Sequence, residues 1–442
     1  MDAPGTVAPG DLLVHDGVIV ALGEGVPAAL AALPGGRAAE SVDASGCFVL
    51  PGFIHGHLHL CQTLFRGLAE QCDLLRWLRE SVWRLEAAHT AASIAASARL
   101  GLLELIGGGV TCINDMGTVC HTDAIAGVLE SSGIRAIFGK ALMDRGAGVP
   151  PGLRENASEA LDSALSLARR WQGAADGRLS VSLAPRFILS CSDGLWRDVA
   201  AAAAERGLLI HTHLAESPSE AREVEAAVSS SAGRYFATRG VLSERFVGAH
   251  GVWVDGEEIS MLRHADAALV HCPGSNLKLG SGFANVRRWA RAGLRRGIGS
   301  DGAACDNRLD TFHELSLAAL VSRALEPEDP LPAREVLALA TSEGARALGL
   351  GAVTGSLEPG KQADVIVVDH TAPHLAPNET LEPYTTLVHA ARASDVRLTM
   401  VAGRILYRDG EWATLDPERV AAEARVETRG LVQRAGIGPA QG

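Results

Sequence analysis

Short apolar runs alternate with longer Ala/Leu-rich stretches through the middle of the chain. Eight of the runs read as strands: Phe48–Ile54, Val110–Asp115, Arg135–Leu142, Leu179–Phe187, Leu208–Leu214, Arg245–His250, Ala268–His271 and Gly297–Ser300. Each is followed by a loop and mostly by a segment of helical spacing, which marks βα units around a parallel sheet. Eight such units over roughly 300 residues predict an α/β fold built on a (β/α)8 barrel of the TIM type, with its active site at the C-terminal strand ends. Within it, Leu74–Arg84 puts Leu74, Leu78 and Val82 on one face, with Leu85 next in line, and predicts a packing helix. The chain ends are patterned differently. LLVHDGVIVALGEG reads as a hairpin turning at Asp16-Gly17, and Gly355–Asp369 and Asp395–Tyr407 read as strand–turn–strand units. The expected organisation is a small β-sandwich domain from residues 1–50 plus 356–442, with a barrel domain, residues 51–355, inserted between them.

Composition narrows the function classes. With 442 residues, 47% apolar and 21% charged, the chain can bury a large core and has an ordinary globular balance. A net charge of −12 without a Lys/Arg run argues against nucleic-acid and anionic-membrane partners. No apolar run approaches the ~20 residues of a membrane span, and neither end has the pattern of a leader, so a cytoplasmic location is expected. The eight cysteines include no CxxC pair and read as reduced, small apolar side chains; Cys61 and Cys305, near the motifs below, are read as packing. Gly107–Gly109 precedes a strand instead of opening a helix, so it is no phosphate loop.

The candidate chemistry lies at the C-terminal ends of the strands. Pro51–Gly67, PGFIHGHLHLCQTLFRG, carries His55, His57 and His59 at alternate positions, and alternate strand residues point the same way. The fifth strand ends in HTHLAES, with His211, His213 and Glu216; the sixth ends at His250; the eighth runs into Asp301. Three histidines and a carboxylate converging on a barrel mouth suit a divalent metal that still accepts water. Singly, each has a plainer reading: His213 as a hydrogen-bonded interior histidine, Asp301 as a turn cap. His211 is placed behind the metal shell, and His89, His121, His264, His271, His313, His370, His374 and His389 are read as structural or solvated.

The motifs PGF, HxH, HTHLAE, GAH, HCPGSNLKLGSG and GSDGAACDN resemble the amidohydrolase superfamily in its cyclic-amidine deaminase branch, and the resemblance covers nearly the whole chain. It implies that His57, His59, His213 and Asp301 hold one zinc (iron in some relatives), that Glu216 shuttles protons, and that His250 orients the attacking oxygen. It also implies a homodimer or homotetramer. Two-metal members bridge their ions with a carboxylated lysine after strand four; no lysine lies between Leu179 and Leu189, so one metal is expected. The chemistry suits these residue types. A bound zinc lowers a water pKa to ~7, a carboxyl such as Glu216 protonates the ring nitrogen, Asp301 takes and passes on a proton, and His250 donates to the developing oxyanion.

Besides Glu216 and His250, three further side chains are expected to bind the heterocycle. Gln62 offers an amide to a ring edge, Arg186 a planar donor fork, and Phe187 a stacking face. Trp77, Trp83 and Arg66 lie in the region that closes over substrates in relatives, with packing the expected role of Trp77. HLCQTLFRG with PRFILSCS and SNLKL resembles 5′-deoxyadenosine deaminases, so the expected substrate is an adenosine-like nucleoside of the 5′-deoxyadenosine, methylthioadenosine or S-adenosylhomocysteine type. A guanine or other free-base deaminase, or a triazine-type amino- or chlorohydrolase, is the alternative. A non-catalytic metal-binding relative would be expected to lose a strand-end residue, and none is missing. Three departures from the pattern stand out: His55 for a small polar residue, Gly274 for a serine, and Arg295-Arg296 where apolar or small residues are common.

Overall fold

The computed structural model describes residues 5–35, 38, 40–69, 73–377 and 382–437; Cys72 lies outside them. The chain opens with a hairpin, β1 (Leu12–His15) and β2 (Val18–Leu22), turning on Asp16 and Gly17, both at positive φ. An Asp-Gly pair supplies these two left-handed positions at low cost. The single strand expected over Phe48–Ile54 is in fact two, β3 (Cys47–Pro51) and β4 (Phe53–Leu58), broken at Gly52. A Cβ on Gly52 would sit 2.1 Å from Thr111 Cγ2. The chain can therefore pass from one sheet to the other only through a residue with no side chain.

From β4 the parallel sheet continues through β5 (Val110–Met116), β6 (Arg135–Gly139), β7 (Leu179–Pro185), β8 (Leu209–Leu214), β9 (Phe246–His250), β10 (Ala268–His271) and β11 (Arg295–Ile298), each pairing with the next. A parallel bridge between Leu58 and Asp301 brings β4 beside the end of β11. These eight strands, among the described residues, make a nearly closed barrel. They are buried almost throughout, which suits strands covered on both faces. Where β11 meets β4, a Cβ on Gly299 would lie 2.4 Å from the His57 carbonyl oxygen, so this glycine allows the close approach.

The C-terminal strands β12 (Val365–Asp369), β13 (Val396–Val401), β14 (Arg404–Arg408) and β15 (Glu411–Trp412) form one antiparallel sheet with β3 in the order β15-β14-β13-β12-β3. The hairpin packs on it through Ile19, Leu357, Ala363 and Val365, so both chain ends contribute to one β unit. A buried ion pair fastens this unit to the barrel. Arg135 of β6 donates from Nε and Nη2 to the Asp364 carboxylate, at 2.7 and 3.1 Å. The unexpected Arg295-Arg296 pair has a structural role. Arg295 donates to the carbonyls of Glu244, Asp266 and Arg346, and Arg296 pairs with Glu335 and Glu343.

The helix expected at Leu74–Arg84 runs from Leu74 to Ala87, with a π turn over Leu78–Val82 between two α segments. Leu74, Leu78, Val82 and Leu85 are all buried. No single helix among the described residues is long and apolar enough to cross a membrane.

Candidate metal centre and substrate pocket

Strand period brings His55, His57 and His59 to one side of β4, and β8 sets His211 and His213 beside them. Three turns at the barrel mouth hold non-glycine residues at positive φ: Ala215 before Glu216, His250 itself, and Asp301 itself. Such backbone is uncommon and is retained where surrounding structure fixes it. His55 contributes by holding the turn. Its Nε2 accepts from the Ser300 backbone N–H at 2.7 Å, while Nδ1 faces Thr311 Oγ1 at 3.3 Å.

His57, His59, His213 and Asp301 each point one donor atom at a common centre, all four within 4.8 Å of one another. Asp301 Oδ1 lies 3.2 Å from Nε2 of both His57 and His59, and His59 Nε2 lies 3.2 Å from His213 Nε2. Outward-facing nitrogens fix the ring orientations. His59 Nδ1 donates to the Met116 carbonyl at 2.7 Å, His213 Nδ1 to the Arg186 carbonyl at 2.8 Å, and His57 Nδ1 meets His211 Nε2 at 2.8 Å. With Nδ1 carrying the proton, each Nε2 lone pair faces inward. His57 Nε2 and Asp301 Oδ1 are buried without a hydrogen-bond partner among the described residues. Four acceptors turned on one another would repel unless a cation lay between them. Metal–ligand bonds of about 2.0–2.1 Å place tetrahedral donors roughly 3.3 Å apart, close to the separations here. The donor set therefore fits a divalent metal of the zinc type, with histidine and carboxylate donors and no thiolate.

Glu216 and His250 stand beside this centre. His250 Nε2 lies 3.6 Å from Glu216 Oε2 and 4.0 Å from Asp301 Oδ2, and its Nδ1 donates to Asn276 Oδ1 at 2.9 Å. Ser275 Oγ donates to Asp301 Oδ2 at 2.7 Å. Two carboxyls this close separate in proton affinity. Burial, with the charges of Asp301 and Glu220 behind it, pushes the Glu216 carboxyl well above the usual range. Burial works the same way on Asp301, but the close imidazoles of His57 and His59 and the charge of His59 and His250 hold it well below. The two carboxyls are thus driven apart in proton affinity, Glu216 upward and Asp301 downward.

A narrow pocket opens onto these groups, walled by Leu74, Trp77, Leu78 and Phe187 and carrying Gln62, Arg186, Glu216 and Asp301 as polar functions. Of the five residues expected to bind substrate, Gln62, Arg186, Phe187 and Glu216 line it, and His250 stands beside Glu216 outside the lining. Trp77, expected to pack, is buried and also forms part of this wall. Trp83 packs against Phe187 with ring centroids 6.5 Å apart, and Arg66 pairs with Glu104. The fork of Arg186 is already engaged: Nη1 and Nη2 donate to the carboxylate of Glu86 at 2.5 and 3.1 Å. The sequence reading missed Glu86, along with Ser275 and Asn276. Glu86 sits in a segment whose only signal was helical apolar spacing. The other two lie in the short helix Pro273–Lys278, in a segment the sequence reading took for a loop, where an Asn and a Ser are ordinary turn residues. Cys61 and Cys305 are buried, and burial pushes both thiols well above their usual range; His271 and His89 are buried away from the metal donors.

Comparison with known proteins agrees with this geometry. The model of the Amidohydrolase family matches residues 48–406. The chain is 37% identical over 393 residues to a 5-methylthioadenosine/S-adenosylhomocysteine deaminase of Moorella thermoacetica, covering 88% of this chain and 89% of the relative. It is 35% identical over 421 residues to a 5′-deoxyadenosine deaminase of Methanothermobacter thermautotrophicus, covering 95% and 94%. Among solved structures, an adenosine deaminase from Xanthomonas campestris with bound zinc superposes with a TM-score of 0.88 at 29% identity, over 96% of this chain and 94% of that one. The convergent histidines and aspartate, the barrel that carries them and a family match spanning most of the sequence lead to one assignment: this chain belongs to the amidohydrolase family of metal-dependent hydrolases acting on carbon–nitrogen bonds.

Proposed function

We propose that the protein hydrolytically deaminates an adenosine-like nucleoside, with 5′-deoxyadenosine, methylthioadenosine and S-adenosylhomocysteine as the leading candidates. The observation that carries this reading is the inward-facing set of three imidazoles and the Asp301 carboxylate, with Glu216 beside them, opening onto the pocket. His57, His59, His213 and Asp301 would hold one zinc ion. Its Lewis acidity would bring the pKa of a bound water to about 7. Asp301, ionised, takes a proton from the attacking water as its oxygen bonds to the ring carbon. Glu216 gives its proton to the adjacent ring nitrogen, which receives the electron pair displaced from the C=N bond. His250, fixed by Asn276, orients the attacking oxygen from the far side. The carbon–amine bond then breaks: Asp301 passes its proton to the departing nitrogen, ammonia leaves, and Glu216 recovers the second water proton as the ring carbonyl forms. Phe187 and Trp77 provide apolar surface against which the ring packs. The same reading expects a cytoplasmic homo-oligomer. The variant Asp301→Asn should fold with an unchanged circular dichroism spectrum and lose turnover by about 10³-fold or more; a rate near that of the wild type would overturn the mechanism.

A further inference from the structure

We propose that Asp306 and Glu314 are positioning residues. As one acid pair joined by a shared proton, they fix the short helix Pro273–Lys278, and through its Ser275 and Asn276 they hold Asp301 and His250 in place. The effect on turnover rests on the deaminase reading above; the shared proton does not.

The departure from the pattern at Gly274 has its cause here. Glu314 lies in the first turn of the helix Thr311–Leu325, which Asp310 caps by accepting from the backbone N–H groups of Phe312 and His313. Its Oε2 accepts from the Gly274 backbone N–H at 3.0 Å. Any side chain at 274 would run into both acids: a Cβ there would stand 2.5 Å from Glu314 Oε1 and 2.7 Å from Asp306 Oδ1. The two carboxyls thus face each other across the space that the glycine leaves open. Glu314 is fully enclosed, and, taken as carboxylates, Glu314 Oε1 and Asp306 Oδ2 are buried without a donor among the described residues. Like charges this close cannot both ionise. One proton removes the conflict: the Glu314 O–H donates to the Asp306 carboxylate, while Oε2 keeps the Gly274 N–H. Burial pushes both carboxyls up, Glu314 well above the usual range. Their surroundings decide which one keeps the proton. Asp306 faces Arg308 and Lys278, with His313 when protonated, and these favour its anion. Glu314 faces Asp306 and Asp310, which oppose a second negative charge, and the buried Cys272 thiol beside it stays neutral. The helix so held carries two contacts of the metal centre. Ser275 Oγ donates to Asp301 Oδ2 at 2.7 Å, and Asn276 Oδ1 accepts from His250 Nδ1 at 2.9 Å. Both residues follow Gly274 directly, so a shift at 274 moves both.

Infrared difference spectra and zinc titration test the pair without turnover. Wild type minus Glu314→Gln should show one protonated-carboxyl C=O band at neutral pH. With Asp306→Asn as the parent of the same subtraction, the band should titrate away about one pH unit lower or more, because the amide donates to Glu314 and a like charge is gone. No band, or the same titration in both parents, would overturn the shared proton. Glu314→Gln keeps an acceptor for Gly274 and a donor for Asp306; Glu314→Leu keeps neither. Zinc affinity and kcat should stay within about three-fold of wild type in Glu314→Gln and fall about ten-fold or more in Glu314→Leu, with KM within about three-fold. Equal losses in the two variants, or none in Glu314→Leu, would overturn the positioning role. If Glu314→Leu does not fold, Gly274→Ser, which drives a Cβ between the acids, takes its place in the same comparison. Should the wild type release ammonia from no substrate, the deaminase reading fails, and the infrared and zinc measurements still decide the pair.

Discussion

Gly302 lacks a side chain where Gln62 Oε1 needs the space. Gly302→Ala would set a Cβ 2.0 Å from that oxygen, so the amide, which donates to Glu86 at 2.9 Å, would have to shift. The expected outcome is a rise in KM of about ten-fold with a small change in melting temperature; an unchanged KM would show that the amide has room to move. The metal donors were legible in the sequence because strand period and strand-end position are both one-dimensional signals. His57 and His59 are two apart, and His211 and His213 are two apart with one turned to the metal centre and the other behind His57. Glu86 was not legible. Its partners, Gln62 and Arg186, lie 24 and 100 residues away, and nothing in the local pattern distinguishes a glutamate that clamps an arginine from one on a solvated helix face. For the same reason the sequence presented Arg186 as a free donor fork.

At the scale of elements, Gly52 and the Arg135–Asp364 pair decide how the terminal sheet meets the barrel. Asp364 is enclosed, accepts from Arg135 at two points, and also accepts from the Ala402 backbone N–H at 2.8 Å. Arg135→Met would leave that carboxylate buried without its counter-charge, a loss of about 3–5 kcal/mol. Denaturant unfolding should read this as a lowered midpoint; a loss below about 1 kcal/mol would mean that water reaches Asp364 when the arginine is gone. Seven of the eight barrel strands fall within a few residues of the positions expected from apolar runs. The eighth was misread because β3 and β4 follow one another with only Gly52 between them. An apolar run records burial but not which sheet does the burying. The π turn at Leu78–Val82 was equally invisible, since one extra residue per turn barely disturbs helical spacing over so short a segment.

Across the whole molecule, two buried carboxyls should contribute less stability as the pH rises to neutrality and beyond. Burial pushes the Glu220 carboxyl from 4.5 up to about 7, against hydrogen bonds from the backbone N–H groups of Glu216 and Ser217, and burial likewise raises Asp115 to about 7. The folded protein holds these protons more tightly than the unfolded chain does. Their contribution is whole below the unfolded values near 4 and is lost as the pH climbs through 7. Buried histidines pull the other way, because burial lowers His55, His89 and His271 and their contribution grows as the pH rises towards 6.5. The test is therefore a difference: the melting temperature of the wild type minus that of Glu220→Gln should shrink from about pH 5 to about pH 8; a constant difference would remove Glu220 from the account. The central claim is metal-dependent deamination, and ammonia release tests it most directly. The zinc-loaded protein would be offered 5′-deoxyadenosine, adenosine, methylthioadenosine, S-adenosylhomocysteine, guanine and melamine, with a chelator-treated control. The account predicts ammonia from at least one adenosine-like compound, abolished by the chelator and restored by added zinc. Ammonia that persists after metal removal, or none from any ring while zinc is bound, would contradict it.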